Sequence, residues 1–323
     1  MIPYYGGAAW VAAAVRSALS ASVQHVVNVV VVDDGGPDRA EDALEAPLPG
    51  NVRIIRQVNL GVAGARTRGL LDVASHDAVT FLDQDDLLVT GALDILAQHL
   101  QEEQVVAAVG TPSLVDGDGR ALAVPAPDLL RDRQRVQRHQ LVTVVDHAEP
   151  IDFATLAYRN CIYTPGQVLI KMEAAQALGG FNSRTAPNDD WDFWLRLSRL
   201  GRLQPVSKVV LHVRRHGTNI SSNVQLMRTM ELALRGLTLR RASPEDRRTV
   251  LDGYRLSERE LAIDWWSWSF GRDPGGEPRP FRWRMRGRAA LFFGWSRLGL
   301  RVHLRLRHAT GRLSDPRSHA ATG

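Results

Sequence analysis

Apolar runs that stop at carboxylates constrain this chain more than any other feature. Val26–Val32 is a short β-branched run that ends at Asp33-Asp34-Gly35, and Ala78–Leu82 ends at Asp83-Gln84-Asp85-Asp86. Short apolar runs bounded by turn residues read as buried strands. Val52–Gln57, Val105–Gly110 and Val209–Val213 are further strand candidates, while Val62–Val73, Gly91–Gln101 and Asp190–Leu200 have helical composition or spacing. Strands alternating with helices predict βαβ units and a largely parallel α/β sheet. Ligands of such sheets bind beyond the carboxyl ends of the strands, which is where both acidic clusters fall. Ile2-Pro3 reads as the end of a first strand with very little strand ahead of it.

Charge is unevenly spread. The chain carries a net +5, but residues 271–310 hold ten arginines against Asp273 and Glu277. The body is therefore mildly acidic and the tail basic, which removes the usual argument for nucleic acid as a partner. The single cysteine, Cys161, cannot form an internal disulfide. No basic segment followed by an apolar run opens the sequence, and no stretch of about 18 apolar residues occurs. The expectation is a cytoplasmic protein, at most peripheral at the inner face of the membrane.

Five constellations could carry chemistry, each with an ordinary structural alternative. Asp83, Asp85 and Asp86 place carboxylates where a hard divalent cation, Mn²⁺ or Mg²⁺, would take oxygen ligands; the alternative is a solvated turn that caps the next helix. Asp33-Asp34-Gly35-Gly36-Pro37 offers a carboxylate to a nucleobase or ribose, or is simply a turn. Asn59–Gly69 opens a helix with small residues plus Arg66 and Arg68, either an anion site or a tightly packed start. Asn188-Asp189-Asp190-Trp191-Asp192 supplies a general base, or caps a helix. His216 adds an imidazole ligand, or is a solvated side chain in a basic loop.

Their order and spacing resemble the family 2 glycosyltransferases of GT-A fold. The resemblance is carried by Ile2-Pro3-Tyr4-Tyr5, Val30–Gly35, Asn59–Arg66, Phe81–Asp86, and Gly179-Gly180-Phe181 followed by Asp189–Asp192. It implies a GT-A (Rossmann-like) sheet flanked by helices, and transfer from a nucleoside diphosphate sugar with inversion. It also implies roles. Asp34 contacts the base, Pro3 and Tyr5 line that pocket, and Arg66 sits near the base or phosphates. Asp83 and Asp85 form the DXD pair on the metal, with His216 as a further ligand. Asp189 precedes the catalytic base, Asp190. Gly6, Gly36, Thr67 and Asp189 depart from the usual residues at their positions.

By this reading residues 1–223 form the transferase domain, with a donor half of about 1–110 and an acceptor half of about 111–223. Residues 224–323 form a helical extension. Its segment Ala289–Arg307 is a basic amphipathic helix suited to an anionic membrane surface or to packing on the domain. The acceptor is an unidentified saccharide, lipid-linked or protein hydroxyl. The rival reading is a non-catalytic sugar-nucleotide binder or membrane-associated scaffold with a degenerate GT-A domain.

Overall fold

The computed structural model describes residues 1–44, 47–122, 151–217 and 224–269. The arginine-rich tail, the amphipathic segment 289–307 and the side chains of Trp265, Trp266 and Trp268 lie outside the described residues.

The first half alternates as the apolar pattern predicts. β1 (Ile2–Tyr4), β2 (Val29–Asp33) and β3 (Val52–Arg56) form a parallel sheet, with α1 (Ala8–Leu19), α2 (Ala40–Leu44) and α3 (Gly61–Asp72) in the connections. The register pairs Tyr4 with Asp33 and Asp33 with Arg56, so all three strands end at one edge. β2 is buried throughout; each of its valines contributes about 1.5–3 kcal/mol by leaving water. α1 is alanine-rich, a good helix former, and buries Val11, Ala14, Val15 and Ala18. α3 packs on β1 and β2 through Ala63, Ala65, Gly69 and Leu70. A Cβ at Gly69 would strike the Met1 side chain, so only glycine allows this approach.

The second sheet differs from the parallel expectation. Its order is β4 (Ala78–Val79), β7 (Val168–Lys171), β6 (Val105–Val115), β8 (Arg202–Arg214), β5 (Leu87–Leu88). Only β6 and β8 pair in parallel; β7 returns antiparallel on both its neighbours and β5 is antiparallel to β8. Strand composition does not encode direction, and here the connections decide it. The run expected as one strand over Ala78–Leu82 has a ladder partner only at Ala78–Val79, after which Leu82 N donates to Met1 O at 2.9 Å. That bond and Met1 N donating to Thr80 O at 2.9 Å bring the two sheets side by side.

α4 (Ala92–Gln98) joins α1 in one apolar cluster with Val29, Val31, Val210 and Leu211. α5 (Phe153–Tyr158), α6 (Met172–Ala177) and α7 (Asp189–Leu197) follow, and then α8 (Val224–Arg241) and α9 (Arg247–Ser269). The chain divides into compact units Met1–Gly253 and Tyr254–Gly323, so α8 lies within the first. Arg235 on α8 donates to Ala157 O at 2.7 Å and Tyr158 O at 2.8 Å, tying that helix to the end of α5. Among the described residues no helix is long and apolar enough to cross a membrane.

Candidate active site

The acidic loop 83–86 leaves the edge where the extended run ends, and each of its carboxylates is held. Asp83 accepts from Arg66 Nη2 at 2.6 Å and Thr164 Oγ1 at 3.2 Å. Asp85 Oδ2 lies 2.8 Å from His216 Nε2. Asp86 accepts from Arg214 N at 3.0 Å and Thr164 Oγ1 at 3.3 Å. Arg214 Nε donates to Asp85 O at 2.9 Å, pinning the loop to the end of β8. Burial, and then the Asp83 charge, pushes the Asp85 carboxyl up; burial and both neighbours push Asp86 well up. Burial and like charge thus both disfavour the ionised forms of Asp85 and Asp86, a condition that a bound cation would relieve.

These residues fit a hard divalent ion at one edge. Metal–oxygen bonds of about 2.0–2.1 Å in octahedral geometry put adjacent ligands about 3 Å apart, and the Asp85–His216 pair already stands at 2.8 Å. Among the described residues no three His, Cys, Asp or Glu side chains converge as a complete ligand set. Asp83 faces Arg66 instead, so water and substrate oxygens would complete the shell.

Arg66 does not stand open to a ligand. It is buried, donates to Asp189 Oδ2 at 2.9 Å as well as to Asp83, and keeps only Nε without a partner. It joins the acidic loop to the first turn of α7. Asn188 stands at the N-cap of that helix, and Asp189, Asp190 and Asp192 occupy the first turn, where the helix dipole favours acids. Asp190 Oδ1 accepts from Trp191 N at 2.7 Å. Burial first, then the Asp189 charge, pushes its carboxyl up to about 7, with Arg66 acting in the opposite sense. A carboxyl titrating near neutrality is suited to accept a proton from a hydroxyl.

α7 is held from below. Trp191, Phe193, Trp194 and Leu197 are buried, and Phe181 stacks on Phe193 at 4.3 Å. Arg196 pairs with Asp192 at 2.8 Å and donates to Leu178 O and Gly180 O, fixing the loop Gly179-Gly180-Phe181. Thr67 accounts for one departure from the usual pattern. Its hydroxyl donates to Ala63 O at 2.8 Å and accepts from Phe181 N at 2.9 Å.

The opposite end of the edge separates the two adjacent aspartates that sequence left undecided. Asp33 is structural: it accepts from Gly35 N, Ala40 N and Arg56 Nη1. Asp34 accepts from Gln57 Nε2 at 2.7 Å and Leu60 N at 2.8 Å, both on Oδ1, and among the described residues Oδ2 accepts nothing. Pro3 is buried in β1 opposite Val32, and Tyr5 on the following loop is 53% exposed. Gly6 has φ 68°, a conformation asparagine also tolerates, which makes its exchange for the usual asparagine conservative. A Cβ on Gly36 would stand 2.9 Å from Gly6 N, so the loops after β1 and β2 touch backbone to backbone.

Sequence reasoning missed four residues here. Thr164 bridges Asp83 and Asp86, Arg214 clamps the acidic loop, and Gln84 Oε1 accepts from Tyr5 N at 2.8 Å. Trp10 stacks on His216 with ring centroids 4.1 Å apart. Gln84 lies within the acidic motif, but no local pattern marks the contact that any of the four makes, because each acts across a long sequence separation.

Residues 1–157 match the family model "Glycosyl transferase family 2". An uncharacterized protein of Mycobacterium tuberculosis is 28% identical over 285 residues, covering 82% of this chain and 79% of its own. The chondroitin synthase of Pasteurella multocida is 24% identical over 225 residues, 68% of this chain but 21% of that protein. Among solved structures, S. aureus TarS (TM-score 0.57, 14% identity, 96% of this chain and 90% of that one) shares the fold. So does the mannosyltransferase PcManGT of Pyrobaculum calidifontis in complex with GDP-Man and Mn²⁺ (TM-score 0.57, 15% identity, 97% and 86%). Through residues 1–157 the chain is similar to glycosyl transferase family 2, and its fold is the GT-A fold of these solved glycosyltransferases.

Proposed function

We propose that this protein transfers a glycosyl unit from a nucleoside diphosphate sugar to an acceptor hydroxyl, with inversion, at a site that takes Mn²⁺ or Mg²⁺. Residues 1–223 are the transferase domain in this reading and 224–323 its helical extension. The observation that carries it is the buried bridge Asp83–Arg66–Asp189, which ties the acidic loop to the helix turn presenting Asp190. A diphosphate-binding edge and a base titrating near 7 are thereby held in one rigid network. The structural neighbour with GDP-Man and Mn²⁺ and the synthase relative support the same assignment of donor class and of a saccharide product.

Each residue then has a task. Asp34 offers Oδ2 to the nucleoside beside the exposed Tyr5. Asp85 and His216 hold the cation, which when bound supplies positive charge against the departing diphosphate. Arg66 holds Asp83 and Asp189 in place. Asp190 takes the proton from the acceptor hydroxyl as its oxygen bonds to the anomeric carbon and the bond from that carbon to the diphosphate breaks.

A thermal-shift screen of UDP, GDP, dTDP and CDP, each with and without Mn²⁺, tests the donor site. One nucleotide should raise the melting temperature in a metal-dependent way, because ligands that bind only the folded state stabilise it. No shift with any of them, from a chain that melts cooperatively, would move the assignment to the non-catalytic scaffold.

A further inference from the structure

We propose that Trp10 is a positioning residue: its indole holds the His216 imidazole on Asp85 and so sets the cation-binding edge. The inference rests on the metal reading above. His216 lies past the end of β8, in a segment without regular structure, so no helix or strand fixes its side chain. The backbone there is anchored at Arg214 N, bonded to Asp86, and at Arg215 N, which donates to Val115 O at 2.9 Å. Trp10 stacks on the ring, with an interplanar angle of 20° and centroids 4.1 Å apart. A face-to-face neighbour leaves an imidazole free only to turn within its own plane, and that plane carries Nε2 to 2.8 Å from Asp85 Oδ2.

Trp10 is not a core residue in this arrangement. Its helix neighbours Val11, Ala14 and Val15 belong to the main apolar cluster, while Trp10 is only partly buried. It stands at the first turn of α1, directly after the loop that Gln84 grips through Tyr5 N. A Cβ on Gly7 would run into the Gln84 side chain, so that grip is close. The acidic loop therefore meets the start of the chain twice, through Gln84 on the Tyr5–Gly7 loop and through Asp85, His216 and Trp10 in series. The second contact places a ligand; the first only holds the loop.

Titration of Mn²⁺ into the full chain, with free Mn²⁺ read by electron paramagnetic resonance, tests this. Removing a group that orients a metal ligand weakens binding by about 10-fold or more. Trp10→Leu should show that loss, and Trp10→Phe, which restores a flat stacking face, should stay within about 3-fold of wild type. In a double-mutant cycle Trp10→Leu should add almost nothing to His216→Ala. Unchanged affinity in Trp10→Leu, equal losses in the Leu and Phe variants, or full additivity with His216→Ala would each overturn the proposal while leaving the metal site standing. No Mn²⁺ binding by the wild-type chain would overturn the metal reading and this inference together. If Trp10→Leu does not melt cooperatively, Trp10→Met, which fills similar space without a ring, takes its place in the same cycle.

Discussion

The surroundings of Asp190 alter its chemistry. Its carboxyl is pushed up to about 7 by burial and by Asp189, so the active, ionised form is gained as pH rises through neutrality. The acid limb of kcat/KM should fall near pH 7 and vanish in Asp190→Asn. That variant should lose on the order of 10²–10⁴ in kcat yet keep nucleotide binding by calorimetry; near-normal turnover would remove Asp190 from the base role. Arg66 makes a separate prediction. Arg66→Met leaves Asp189, wholly buried, without its counter-charge, a loss worth about 3–5 kcal/mol for a buried pair broken on one side. Asp83 is partly reached by solvent, so most of that cost lies with Asp189. The melt should drop, and the acid limb should move to higher pH because Arg66 no longer favours the ionised Asp190.

Among the elements, α7 depends on a loop that only glycine permits. Gly180 has φ 109°, and a Cβ there would stand 2.5 Å from Thr67 Cγ2. Gly180→Ala should destabilise by about 1–3 kcal/mol through backbone strain alone, seen as a lower denaturation midpoint, and should slacken α7 because Arg196 binds Gly180 O. An unchanged midpoint would mean that the loop relaxes freely. Elements such as β2 and α7 were legible in the sequence because their apolar spacing is local and strong. The direction of β7 was not, since the residues of Val168–Lys171 suit either orientation. The length of β4 was not either: Thr80–Leu82 has strand composition but meets only Met1, and composition says nothing about partners.

For the molecule as a whole, its raised carboxyls make a statement about stability. A carboxyl whose folded pKa lies above the unfolded value keeps a proton that the unfolded chain has released, so stability falls as pH rises between the two. With Asp190 moving from 3.8 to about 7, the ligand-free protein should be more stable near pH 5 than near pH 7.5. Asp85 and Asp86 act in the same direction. Melting temperatures across that window, with Asp190→Asn giving a flatter profile, check this; a melting temperature that climbs towards neutral pH would contradict the burial of Asp190. The candidate site was legible where its residues fall in one motif, as in Asp83–Asp86 or Asp189–Asp192. It was illegible where function is shared across the chain. Asp33 and Asp34 are chemically identical neighbours that different partners tell apart, Gly35, Ala40 and Arg56 against Gln57 and Leu60, and Thr164 or Trp10 means nothing without its distant partner.

The same separation bears on synthesis. Asp85 and His216 lie 131 residues apart, and a ribosome adding about 5–20 residues per second takes roughly ten seconds to cover that span. During that interval Asp83 already has Arg66, while Asp85 and Asp86 precede the His216, Arg214 and Thr164 that meet them in the finished protein. Like charges side by side disfavour close packing of this edge until β8 brings Arg214, which bonds Asp86 and Asp85 O. Charge gathered in the finished protein is thus laid down before the groups that later compensate it.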